Sequence, residues 1–238
     1  MKKSIKFGVI GSALLAVATV HAQETEAESE YEAIGWTPIA LGLVSPVQIP
    51  WGSHQWDVFG LNLGLLWSDA PKMYGLGVAG AAMATRDDLA GLQTTAFCNW
   101  ATKDVYGMRA TLGANVAFGT VYGIEAGAFS YHTGEMWGWD TEFLGSYGER
   151  FWGLQCAGLV NLSLEQSYGA SIAVGGNISK VVYGCQLGGV FNFADELHGC
   201  QIGLVNFSKE CVWGFQVGLV NIIMSNMIKV LPIVNCYF

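Results

Sequence analysis

Beyond its first two dozen residues the sequence has no apolar run approaching the ~20 residues of a membrane-spanning helix, so a membrane location would require strands. Charge is sparse, at 13% against 52% hydrophobic residues. There is no Gly-x-Ser-x-Gly elbow and no Cys-x-x-Cys pair, which argues against a hydrolase nucleophile and against a zinc or thioredoxin-type motif. No cysteine follows the leading apolar run closely enough for lipidation.

That leading run has the three parts of a secretory signal. Lys2, Lys3 and Lys6 form a basic region, residues 7–20 an apolar stretch of fourteen, and Val20-His21-Ala22 a small-residue exit with cleavage expected after Ala22. Losing residues 1–22 leaves 8 basic residues against 19 acidic ones, which excludes nucleic acid as an expected partner. Glu24, Glu26, Glu28, Glu30 and Glu32 make residues 23–33 an acidic lead-in expected to be disordered. Residues 34–238 are expected to form a single β-repeat domain.

The repeat organises everything that follows. Gly60, Gly75, Gly91, Gly107, Gly123, Gly138, Gly153, Gly169, Gly184, Gly199 and Gly214 recur at intervals of 15 or 16 residues, defining eleven units. The residue before the glycine is aromatic in nine of them. Two residues after it stand Asn62, Gly77, Gln93, Arg109, Glu125, Asp140, Gln155, Ser171, Gln186, Gln201 and Gln216, all polar or glycine. Positions one and three after it are mostly apolar, as in Leu61 with Leu63 and Phe215 with Val217. A period of two is that of a strand, and a helix would carry a glycine in every copy, so the fold class is all-β. Many units close on asparagine (Asn99, Asn115, Asn161, Asn177, Asn192, Asn206 and Asn221). Polar stretches such as Ala194-Asp195-Glu196 and Ser208-Lys209-Glu210 are expected to turn. With one strand at 37–48 and another at 228–238, the count comes to about thirteen.

Two architectures can use this unit. The first expectation is an antiparallel meander closing into a 12–14-stranded outer-membrane β-barrel. Its apolar face would meet lipid, its polar face would line a lumen, and its aromatic residues would form girdles at both rims. The terminal Phe238, with Val234 and Cys236 on its parity, fits the closing strand of such a barrel. The alternative is a β-solenoid of 15–16-residue coils with the apolar face as its core, favoured by the even spacing, the recurrent asparagine and the lack of long loops.

Gly199-Cys200-Gln201-Ile202-Gly203-Leu204-Val205-Asn206 and Gly214-Phe215-Gln216-Val217-Gly218-Leu219-Val220-Asn221 resemble the GxQxGxxN units of bacterial surface-repeat proteins, including a leptospiral-type family. The segments opening at Trp56-Asp57-Val58-Phe59-Gly60 and closing at Leu231-Pro232-Ile233-Val234-Asn235 are similar to that family's ends, and the likeness is loosest over residues 94–146. The resemblance implies a surface or outer-membrane location in a Gram-negative-type bacterium. It supplies no catalytic residue.

Candidate chemistry is thin. Gly75-Leu76-Gly77-Val78-Ala79-Gly80 matches a dinucleotide fingerprint, but the repeat accounts for it and no helix alternation surrounds it. His132, Glu135 and Asp140 could be imagined as metal ligands, yet read more simply as a solvated loop. His54 is isolated, and His198 takes the place of a rim aromatic. Cys185 and Cys200 hold equivalent places in adjacent units and could form a disulfide in an oxidising compartment, or serve as small hydrophobes. Arg109, Glu125 and Asp140 occupy successive copies of the polar position and form a candidate lumen charge cluster, either self-satisfying or selective for solutes.

The expected function is that of a non-enzymatic outer-membrane barrel, structural or a narrow passive channel, with membrane lipid as partner, a possible small solute and no cofactor. The alternative is a surface β-repeat protein binding an envelope or host partner through its Gly/Gln/Asn face, including Asn62, Gln93, Gln155, Gln186, Gln201 and Gln216.

Overall fold

The computed structural model describes residues 33–237. The expected signal at 1–22, the lead-in except its last residue, and Phe238 lie outside the described residues. Within them are seventeen strands, a 3-10 turn at Ser53–Gln55 and no α-helix, as the strand period requires.

The pairing corrects the antiparallel meander and the barrel built from it. Neighbouring units pair in parallel, each residue beside its counterpart 15 or 16 positions on: Gly153 beside Gly169, Gly169 beside Gly184, Gly184 beside Gly199. The chain is a β-solenoid, one unit per coil. A hairpin would spend the unit on one strand and a tight turn, whereas here each unit builds two arms. Met73–Ala79 is followed by Ala82–Thr85, and Leu89–Thr95 by Cys98–Ala101. Two arms consume the whole unit and return the chain to its starting point one strand spacing (~4.8 Å) further along, which leaves only parallel pairing. The asparagines therefore lie within the second arm rather than at turns. The stretches around Asp195 and Lys209 lie inside the strands Phe191–Ile202 and Val205–Ile223, at one corner of the coil.

Inside and outside are also assigned differently from either expectation. The polar position is the interior: Asn62, Gln93, Gln155, Gln186, Gln201 and Gln216 are all buried. Leu76, Met108, Ile124 and Phe215, one residue after the glycine, are exposed. The stacking is that of a solenoid, but the apolar face points outward as it would in a barrel. Amides can fill such an interior because parallel, in-register coils place identical side chains one strand spacing apart. Gln216 Nε2 donates to Gln201 Oε1 (2.7 Å), and Gln201 Nε2 to Gln186 Oε1 (2.8 Å). A second ladder climbs the other arm through Asn161, Asn177, Asn192, Asn206 and Asn221 at 2.8–2.9 Å per step. The second amide hydrogen goes to a main-chain carbonyl, as from Asn192 to Ile202 (2.8 Å) and Asn206 to Val217 (2.8 Å). Each such bond contributes about 1 kcal/mol, and leaving one buried amide unpaired costs about 1–3 kcal/mol.

A narrow apolar column supplements the ladders. It occupies the position two before the glycine at Val58, Met73, Leu89, Val105, Val121, Met136, Phe151, Val182 and Leu197, and continues through Cys211, three before Gly214, which a register shift sets beside Leu197. The aromatic residues form one outer column instead of two girdles, because parallel coils keep them on one side. Trp137, Trp152, Tyr168, Tyr183 and His198 stack with centroids 3.7–4.6 Å apart. At the far end Val230–Cys236 runs antiparallel against Val205–Ile223 and covers its edge.

The two corners of the coil differ in chemistry. One carries Lys72, Asp87, Lys103, Arg150, Glu165, Lys180, Asp195 and Lys209, with ion pairs such as Lys103–Asp87 (2.7 Å) and Lys209–Asp195 (2.6 Å). The opposite corner carries Phe97, Leu112, Phe143, Leu159, Val174, Leu204 and Leu219, with Leu112 83% and Phe143 76% exposed.

Candidate functional site

The polar ladders break in the middle of the stack, and buried charge takes their place. The register sets Arg109 of Val105–Thr111 beside Glu125 of Val121–His132, and Glu125 beside Asp140 of Glu135–Ala157. All three are sealed from solvent, so the cluster faces a packed interior and not a lumen. Both ladders depart from their pattern at the same levels. On the second arm, Ser130 and Ser146 replace the asparagine between Asn115 and Asn161. The shorter serine side chains leave room for the charged groups opposite.

Arg109 donates through Nε to Glu125 Oε1 and pairs with the same oxygen through Nη2, while Nη1 reaches the Val116 carbonyl across the interior (2.9 Å). Asp140 Oδ2 accepts from Ser130 Oγ (2.8 Å) and from Ser146 Oγ, which in turn accepts from Gln155 Nε2 (2.8 Å). Two further ionisable groups complete the cluster. Buried His132, on the second arm, brings Nε2 to 3.0 Å from Glu125 Oε2, and Glu142 Oε1 accepts from Asn115 Nδ2 (3.4 Å). Gly127 makes room for Glu142, since a Cβ there would lie 2.8 Å from Oε2.

Burial pushes every carboxyl here upward, and the neighbours decide the outcome. For Glu125 the Arg109 guanidinium and His132 overcome burial and hold it at about 2. Burial keeps Asp140 above its ordinary value, aided by the negative Glu125 and opposed by His132 and the two serine hydroxyls. Glu142, buried and next to Asp140, is pushed up to about 10.

Glu142 does not stand out in the sequence, and His132, grouped there with Glu135 and Asp140, reads as part of a solvated loop, a reading its burial corrects. The signal lay in the repeat. His132 stands in register with Ala117, two residues after the asparagine position, where other coils carry Ala101, Ser163, Ser179 or Ala194. Glu142 stands four after its glycine, where others carry Ala79, Thr95, Ala157 or Gly188. Glu135 is elsewhere, at the charged corner with Arg150 (3.1 Å). Gly75 belongs to the glycine column, and Gly77 faces the Met73 and Met83 sulfurs, which leaves no phosphate cradle. Cys185 and Cys200 are joined as a disulfide, Cα atoms 4.7 Å apart, linking two adjacent coils. The Gly/Gln/Asn face expected to meet a partner is enclosed, so contact with anything outside falls to the apolar exterior and the charged corner.

No family model, curated protein or solved structure matches the chain.

Proposed function

We propose that this is a non-enzymatic, exported surface β-repeat protein that lies along the lipid of the cell envelope by its apolar corner. The observation that carries this reading is the segregation of charge. Among residues 56–222, every Asp, Glu, Lys and Arg sits inside the solenoid, at the charged corner, or at the first coil near Asp69; the opposite corner has none. Eleven coils spaced by ~4.8 Å extend this pattern over roughly 50 Å. An edge that is apolar along its whole length, opposite one that is charged along its length, has the division found in elements lying in a membrane interface. Removing a large aliphatic or aromatic side chain from water contributes about 1.5–3 kcal/mol. Five side chains such as Phe97, Leu112, Phe143, Val174 and Leu219 would then supply roughly 10 kcal/mol toward the loss of rigid-body freedom on docking. The signal-like leader and the likeness to GxQxGxxN surface-repeat proteins agree with an envelope location.

Co-flotation of the purified chain with phosphatidylcholine vesicles tests the reading. The wild type is expected to rise with the lipid, while Leu112→Glu combined with Leu159→Glu stays behind with an unchanged β circular dichroism spectrum. A wild-type chain that remains monomeric and does not float would refute lipid docking, and a stable dimer that does not float would assign the edge to a second copy.

A further inference from the structure

We propose that Glu125, His132 and Asp140, with Glu142 next to Asp140, form a structural binding site for one divalent transition-metal cation inside the solenoid. One ligand atom from each of the first three lies within 4.8 Å of the other two, and all three residues are buried. The arrangement of hydrogen bonds points the same way. Each carboxylate has one oxygen held by a donor from outside this group of four, and its second oxygen is left to the group's own members, as Glu125 Oε2 is to His132. Glu125 Oε1 is held by Arg109, Asp140 Oδ2 by Ser130 and Ser146, and Glu142 Oε1 by Asn115. Glu125 Oε2, Asp140 Oδ1 and Glu142 Oε2 have no hydrogen-bond partner, and neither does either ring nitrogen of His132, although Nε2 approaches Glu125 Oε2 to 3.0 Å. One anchored oxygen and one free oxygen is the division that outer hydrogen bonds impose on metal-binding carboxylates.

Charge balance supports the same assignment. With the metal bound, Glu142 would release the proton that burial otherwise keeps on it, and three carboxylates with a neutral imidazole would then stand against one guanidinium, an excess of two negative charges that a divalent cation cancels. A ring nitrogen among the donors favours zinc, or a neighbouring transition metal, over calcium or magnesium, which take oxygen ligands. Three buried protein donors, with the Glu142 carboxyl next to Asp140, and no solvent-open position describe a structural ion rather than a catalytic one. Glu125 and Asp140 come from the glycine arm and His132 from the asparagine arm, so the ion would bridge the two arms where the amide ladders are interrupted. Because the interior is closed, loading would accompany folding.

The test is to refold the full described chain with zinc or with a chelator, desalt it, and measure bound metal and thermal stability. The expected result is one zinc per chain and a higher Tm than in the chelated sample. His132→Gln and Asp140→Asn should each lower retained zinc by about tenfold or more, whereas His198→Gln, at the surface, should leave it unchanged. Cobalt in place of zinc should give a spectrum without a thiolate charge-transfer band, which separates this site from Cys98, Cys156, Cys211 and Cys236. Should the variants fail to fold, the stoichiometry and cobalt spectrum of the wild type decide. Absence of stoichiometric metal with equal Tm in zinc and chelator, retention of metal by His132→Gln, or a thiolate band would each overturn the proposal.

Discussion

Gly199 lies directly against Gly184 in the next coil, so closely that a Cβ on Gly199 would stand 1.9 Å from the Gly184 carbonyl oxygen. Its φ of +138° is also one that side chains rarely adopt. Two constraints coincide here, strain and lack of space, and the same pair recurs in every coil. Gly199→Ala should therefore cost about 3 kcal/mol or more, measured by urea unfolding. Gly52 offers the comparison, with a positive φ of +88° and nothing within 4 Å of an added Cβ. Gly52→Ala should cost about 1 kcal/mol. Equal losses at the two sites would show that close stacking of the coils contributes nothing.

The Arg109–Glu125 pair is enclosed, so removing one partner leaves an uncompensated charge. Arg109→Ala should destabilise the chain by about 3–5 kcal/mol. Combining it with Glu125→Gln should recover much of that loss, because the second change discharges what the first exposed. A double-mutant cycle on unfolding free energy reads the coupling directly. Additive losses would mean that the two charges do not depend on each other.

Glu142 gives the cluster a defined pH dependence in chelated protein. Its carboxyl titrates near 4.5 in the unfolded chain and at about 10 in the folded one. Between those values the folded state keeps a proton that the unfolded chain has released. Stability from this group is therefore intact below the unfolded value and falls as pH rises toward the folded one. Glu142→Gln keeps the shape of the neutral acid and removes the slope. Its Tm should diverge upward from the wild type between about pH 5 and pH 9, and parallel curves would contradict a protonated Glu142.

The Cys185–Cys200 bridge closes a loop of 15 residues within a stack already held by backbone pairing. A loop of that size corresponds to about 3 kcal/mol of stabilisation in the chain-entropy account. Cys185→Ser with Cys200→Ser should lower stability by about 2–3 kcal/mol without altering the circular dichroism spectrum. Non-reducing peptide mapping should recover the two cysteines in one linked fragment, and recovery of both as free thiols would rule the bridge out.

The repeat was legible because glycine, amide and aliphatic residues recur at one spacing. Period two and the unit length by themselves place Arg109, Glu125 and Asp140 on adjacent levels and Cys185 beside Cys200. In the sequence His132 pairs with Asp140 as an imaginable metal ligand but reads as a solvated loop, and Glu142 escapes altogether, because each lies at a position usually filled by a small residue, where a large ionisable group stands out only once both arms are aligned together. The second arm itself was hidden, since short strands such as Ala82–Thr85 and Cys98–Ala101 read as the tails and turns of longer ones.

The sequence by itself determined the all-β class, the coil length, the glycine column, and which residues share a face. It could not determine which face is inside. Alternation along a strand is symmetric: it separates amide from aliphatic residues equally well whether the amides line a lumen, meet solvent or fill a core. Only tertiary structure decided this, because a buried amide becomes tolerable when a parallel neighbour in register supplies its missing hydrogen bond, and that neighbour is 15 or 16 residues away. With the amides satisfied inside, most aliphatic residues were left outside, and the charges outside the buried cluster gathered at one corner and near Asp69.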